Sequence, residues 1–127
     1  MMSRQPIVAT RIRKISGSFS WIDHRILSSG FLQAMTTHEI ALYFFLVLVG
    51  DKNGVSFYHY DKICSLLKID VDAYITARNR LIDKSLIAFD QTRYQVLELP
   101  KSQAPANAPK RMASMHSLQE IFKNLSQ

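Results

Sequence analysis

From residue 63 to residue 87 the chain reads ICSLLKIDVDAYITARNRLIDKSLI, and its apolar positions fall into two helical runs broken by a short interruption. Ile63, Cys64 and Leu67 lie at helical spacing, Ile69 and Asp70 break the pattern, and Tyr74, Ala77 and Leu81 resume it at intervals of three and four. Such spacing puts each set on one helix face, with Ile75 and Ile82 widening the second stripe. The pattern predicts two helices joined by a tight turn, the second spanning 71–84. Asp70 suits the cap of that second helix, because its carboxylate can accept from free backbone N–H groups and opposes the positive helix end.

Upstream, Thr36-Thr37-His38-Glu39 has the form of a capping box, with Thr36 as the cap and Glu39 reaching back. Residues 40–49 continue as a helix apolar on nearly every side, and Gly50 stops it. A second capping box, Ser20 with Asp23, predicts a short helix within 19–33 that ends near Gly30. Phe19, Trp21, Ile22, Ile26, Leu27, Phe31 and Leu32 are too many apolar groups for an exposed segment, so this helix is expected to pack on the main domain. Trp21, Phe44 and Phe45 are expected in the core. Asn53-Gly54 supports a turn. Residues 55–58, 86–89 and 94–99 carry the β-branched and aromatic runs of strands. The last two join through 90–93 as a hairpin, which Pro100 closes.

Residues 101–111 begin KSQAPANAPK and form a Pro- and Ala-rich linker, so a boundary falls there. Beyond it Met112, Met115, Leu118, Phe122 and Leu125 recur every three to four residues as a narrow amphipathic stripe over 112–127. A helix this short needs a surface. Docking on its own domain, pairing with a second copy as a homodimer, and binding another protein are all open.

The string Ile63, Cys64, Leu67, Ile69, Asp70 resembles the helix-turn-helix signature of bacterial winged-helix proteins, and residues 80–87 resemble the end of their recognition helix entering the wing. The likeness covers 36–100. It is similar in layout to regulator domains and to winged-helix modules of plasmid and phage replication initiators or other mobile-element proteins. The resemblance implies an α+β fold, a winged helix-turn-helix with a three-helix core and a short β-wing, here with extra N-terminal and C-terminal helices. Two positions depart from the pattern: Lys68 stands where the turn often has glycine, and Arg78 stands where a core leucine is common. A left-handed backbone at Lys68 carries mild strain.

Composition narrows the class. A chain of 127 residues, 47% hydrophobic, can bury one core, so one domain over 19–100 with tails is expected. One cysteine excludes an intramolecular disulfide, and Cys64 is expected to fill a small core site. The longest apolar run, 40–49, is about half a membrane span. With no signal peptide visible, a cytoplasmic protein that does not enter the membrane is expected. The net charge of +6 is unevenly spread. Residues 1–30 hold five bases and one acid, 31–100 hold seven and eight, and 101–127 hold four and one, giving +4, −1 and +3. An anionic partner would therefore meet the tails first.

Double-stranded DNA is the partner the resemblance implies, in transcription regulation or in replication of a mobile element. On the second helix Ala73, Thr76, Asn79, Arg80 and Asp83 lie opposite the buried stripe. Arg can bind guanine bidentately, Asn can bind adenine, and Ala or Thr methyls can touch thymine. They are equally what a solvated helix face contains. Arg93 at the hairpin tip would probe phosphate or a minor groove. Tyr60 and Lys62 could donate to a phosphate at a helix start, or be an ordinary rim tyrosine and solvated lysine. Arg11, Arg13 and Lys14 belong to a basic arm over 1–18, which lies on phosphates or is simply a solvated terminus.

The alternative is a protein-interaction module without DNA binding, favoured by Asp70, Asp72 and Asp83 around the second helix. An enzyme has the least support. Asp23-His24 has no nucleophile beside it, His38-Glu39 lacks the second His of a metalloprotease, and residues 51–54 lack the further ligands of a calcium loop. No catalytic residue, metal or cofactor is expected.

Overall fold

The computed structural model describes residues 4–101. Its elements run α1 (Arg25–Ser28), α2 (Thr37–Val49), β1 (Val55–Ser56), α3 (Tyr60–Leu67), α4 (Val71–Asp83), β2 (Ile87–Phe89) and β3 (Tyr94–Val96). This is an α+β arrangement of four α-helices and a three-stranded antiparallel sheet ordered β1-β3-β2, a layout compatible with a winged helix. Tyr94 of β3 faces Ser56 on one side and Phe89 on the other.

Local chemistry sets the element ends. Thr36 Oγ1 accepts from the Glu39 N–H at 3.2 Å, and Asp70 Oδ1 accepts from the Ala73 N–H at 2.7 Å, so both long helices start where the sequence places them. Lys68 ends α3 at φ 59°, in the left-handed conformation that its position in the turn requires. Helix α4 ends in the same way without glycine. Ser85 takes φ 62°, its N–H donates to Ile82 and that of Leu86 to Leu81, while Leu86 and Leu81 are both fully buried. That pairing of a left-handed residue with an apolar clasp is the Schellman stop.

The core gathers where α2 crosses α4 and meets the sheet. Leu42, Leu46, Ile63, Leu81 and Leu86 are fully buried, with Tyr74, Ala77 and Ile87 beside them. Each aliphatic side chain so placed contributes about 1.5–3 kcal/mol. Gly54 is fixed by its neighbours: at φ +82°, an added Cβ would sit 2.6 Å from the Val96 carbonyl oxygen. Its own carbonyl accepts from the Val96 N–H, extending the pairing of β1 with β3.

Several expectations need correction. The helix expected within 19–33 shrinks to one turn, Arg25–Ser28, plus a 3-10 turn at Leu32–Ala34. Ser20 does not cap it. Its hydroxyl donates to the Leu48 carbonyl 28 residues away, and Asp23 instead folds onto the Arg25 backbone and guanidinium. Gly30 does lie just past the helix end, at φ 83°. Of the apolar groups in this segment Ile26 and Phe31 are buried, but Phe19, Trp21, Ile22 and Leu27 are exposed. Trp21 is 79% and Phe44 55% exposed, so only Phe45 of the three expected core aromatics is inside. The reason is that α2 buries one face, through Leu42, Tyr43, Phe45 and Leu46, and leaves Ile40, Phe44 and Leu48 outward. Ile75 is likewise exposed rather than part of the α4 stripe. The strands are shorter than 55–58, 86–89 and 94–99, although Leu97 N–H still donates to Leu86. The expected stripe at 112–127 and its linker lie outside the described residues, beyond Lys101 itself.

Ser56 is 4% exposed and its hydroxyl meets no partner among the described residues. A buried hydroxyl without a partner costs free energy. Ser56→Ala is expected to leave the urea midpoint unchanged or raise stability by up to about 1 kcal/mol. A loss of that size would mean the hydroxyl is satisfied.

Candidate nucleic-acid interface

Helix α4 follows α3 after a two-residue turn, Ile69 and Asp70, beyond the left-handed Lys68, and it leads through Ser85 and Leu86 into the β2–β3 hairpin. At about 100° per residue, the buried Tyr74, Ala77 and Leu81 define one side of α4, and Asp72, Thr76, Asn79 and Asp83 define the opposite side. Thr76 and Asp72 are exposed, while Asn79 and Asp83 are half-buried. Ala73 and Arg80 fall on a flank. Ala73 is half-buried, and Arg80 leans toward Glu39, its Nε 3.8 Å from Oε2 with the side chain still 58% exposed.

Glu39 is the anchor of that flank. Its carboxylate is fully buried, accepts from the Thr36 hydroxyl at 3.1 Å, and is bonded to the Lys84 ammonium, which also donates to the Ala34 carbonyl at 2.6 Å. The capping-box Glu thus extends to α4 and ties the start of α2 to the end of α4. Arg80 is consequently a shared residue, part ion-pair partner and part outward cation.

The remaining candidates separate spatially. Asn79 Oδ1 already accepts from Arg78 Nε and Nη2, at 3.3 and 3.2 Å. Arg93 forms a fork with Asp90, Nη2 to Oδ2 at 2.7 Å and Nε to Oδ2 at 2.9 Å, and Asp90 also accepts from the Arg93 backbone. These bonds hold the Asp90 carboxyl well below the usual carboxylate range, with the Arg93 side chain as the largest cause. The hairpin tip is therefore internally neutralised. Tyr60 and Lys62 stand exposed at the start of α3, where His59 Nδ1 lies 2.8 Å from Asp61 Oδ1 and lowers that carboxyl. Arg11, Arg13 and Lys14 are exposed, Arg11 in a 3-10 turn at Ala9–Arg11, and none joins an ion pair among the described residues. Cys64 is buried, and burial pushes its thiol up, which disfavours the thiolate.

Sequence reasoning did not find what lies on the other flank of α4. Arg78, placed where a core leucine is common, is half-buried with its guanidinium carbon 5.5 Å from the Tyr74 ring centre and 5.0 Å from that of Phe89. Tyr60 stacks on Tyr74 at 6.3 Å, and Phe89 stacks on Tyr94 at 4.6 Å. These rings border a groove of about 630 Å³ between the start of α3, α4 and the hairpin. The departure at Arg78 was the available signal.

No family model, curated protein or solved structure matches this chain. Among the described residues no helix is long and apolar enough to cross a membrane, and no three His, Cys, Asp or Glu side chains are grouped to hold a metal.

Proposed function

We propose that this chain binds double-stranded DNA through a winged helix-turn-helix, in transcription regulation or in replication of a plasmid or other mobile element, without catalytic activity and without a cofactor. The observation that supports this reading is the face of α4 opposite its buried stripe, which carries the exposed Thr76 and the half-buried Asn79 on a helix that leads into a hairpin bearing Arg93 and is tied along its flank to Glu39. Such a face can lie in a major groove while the hairpin reaches the neighbouring backbone. Phosphate attraction would come from the arm, through Arg11, Arg13 and Lys14, and from the basic stretch after 100, because residues 31–100 carry a net −1.

A second reading has its own support. Asp72 and Asp83 lie on the same face of α4, and Ile40, Phe44 and Leu48 form an exposed stripe on α2, with Phe19 and Trp21 exposed nearby in the segment that Ser20 ties to Leu48. An interaction module would use these surfaces and ignore DNA. Anisotropy of a labelled random duplex, titrated with the full chain across a salt series, separates the two. DNA binding should weaken steeply as salt rises, since counterions are released on association. An absence of binding at low salt would favour the module. Within the DNA reading, Arg80→Ala is expected to reduce discrimination between sites by about 1–3 kcal/mol. An unchanged specificity ratio would remove Arg80 from base reading and leave it to Glu39.

A further inference from the structure

We propose that the groove between the start of α3, α4 and the hairpin is a nucleotide site, in which a base stacks on the exposed rings of Phe57 and Tyr60 and its phosphate meets Arg78. The proposal rests on the nucleic-acid reading but adds an unpaired nucleotide to a protein otherwise read as a duplex binder. Phe57 is 68% and Tyr60 44% exposed, although both are large rings at the edge of a groove of about 630 Å³. Phe57 meets no other ring among the described residues, while Tyr60, already against Tyr74 at 6.3 Å and His59 at 4.8 Å, offers the rest of its exposed surface beside it.

Arg78 supplies the second half. The groove's lining holds this one arginine and no acid, and no carboxylate pairs with Arg78 among the described residues. The rings of Tyr74 and Phe89 hold its guanidinium in place, and a half-buried cation bound only to an amide oxygen retains N–H groups for an anion. The acids nearby are engaged elsewhere, Asp61 with His59 and Asp90 with Arg93. Gln91 from the hairpin adds a neutral donor and acceptor at the rim, suited to a base edge, while the Thr92 hydroxyl donates to Asp90. Stacking rings plus a cation without an acid are the components by which proteins hold single-stranded nucleic acid with little sequence preference.

The test titrates the full chain with labelled oligothymidylate, with a duplex of equal length, and with thymidine monophosphate, while proton NMR follows the aromatic resonances. Phe57→Ala is expected to weaken single-strand binding about tenfold and leave the fold intact, because the ring is mostly in solvent. Arg78→Gln should weaken it similarly and flatten its salt dependence, with a thermal melt reporting whether the variant folds. Trp21→Ala, which lies outside this groove, should bind as the parent does. Equal affinity of the parent and Phe57→Ala for the single strand, or no binding of either the oligothymidylate or the monophosphate, overturns the proposal. Saturable monophosphate binding as tight as the oligomer's would identify a free nucleotide as the source, and tighter oligomer binding would identify a strand. Failure of the duplex alone, with single-strand binding lost in Phe57→Ala, would sink the duplex reading and leave the groove standing.

Discussion

Glu39→Ala is expected to destabilise the fold by about 3 kcal/mol, the lower end of what breaking a buried ion pair costs. The carboxylate is fully buried and the Lys84 side chain is 24% exposed, so the pair is shielded but not sealed. Removing Glu39 leaves the Lys84 ammonium with the Ala34 carbonyl and some water. Removing Lys84 instead is worse placed, since Lys84→Met strands a carboxylate with no exposure beside an Arg80 nitrogen 3.8 Å away. Lys84→Met should therefore cost at least as much as Glu39→Ala. For a domain near this size the loss would lower Tm by roughly 12–24 °C. Urea melts of both single variants and the double variant give the coupling directly, and independent, additive losses would mean that the pair does not join α2 to α4.

Tyr94→Phe is the second large effect. The Tyr74 and Tyr94 hydroxyls bond to each other in the core, 20 residues apart in sequence. Burial first, and then the bond to Tyr74, push the Tyr94 hydroxyl far above its ordinary pKa, so it stays neutral through the accessible pH range. Tyr94→Phe leaves the Tyr74 oxygen buried without its partner and is expected to cost about 1–3 kcal/mol. Tyr74→Phe combined with Tyr94→Phe removes both polar atoms and should recover most of that loss. A double variant that is less stable than either single variant would mean that the hydroxyls have other partners or a role in the shape of the core. Because Tyr74 lies under Arg78 and both rings line the groove, the double variant tests whether the groove keeps its form without the bond.

Residues whose role is local are legible in the sequence, and residues whose role depends on a distant partner are not. Thr36 and Asp70 cap helices in the structure as their spacing implies, and Lys68 takes the left-handed backbone that its place in the turn demands. Ser85 takes the same conformation without a glycine to mark it. Asn79 was legible as an outward residue, but its engagement by Arg78 was not, nor was the tie from Arg80 to Glu39. Arg93 was placed at the hairpin, while the Asp90 fork that neutralises it depends on the turn closing. Trp21 and Phe44 are exposed against expectation, because an apolar residue type carries no label for which side of a helix or strap will be covered.

What the sequence determined by itself is the order of the main elements and the caps of α2 and α4 at Thr36 and Asp70, because those are free-energy preferences expressed within one helical turn. Only the tertiary structure decided that Glu39 meets Lys84 across 45 residues, that Arg78 lies over the rings of Tyr74 and Phe89, and that Ile40, Phe44 and Leu48 of α2 are exposed among the described residues. Those outcomes follow from how α2 crosses α4 and where the sheet closes over them, and the crossing is set by the packing of many side chains at once rather than by any local run of residues.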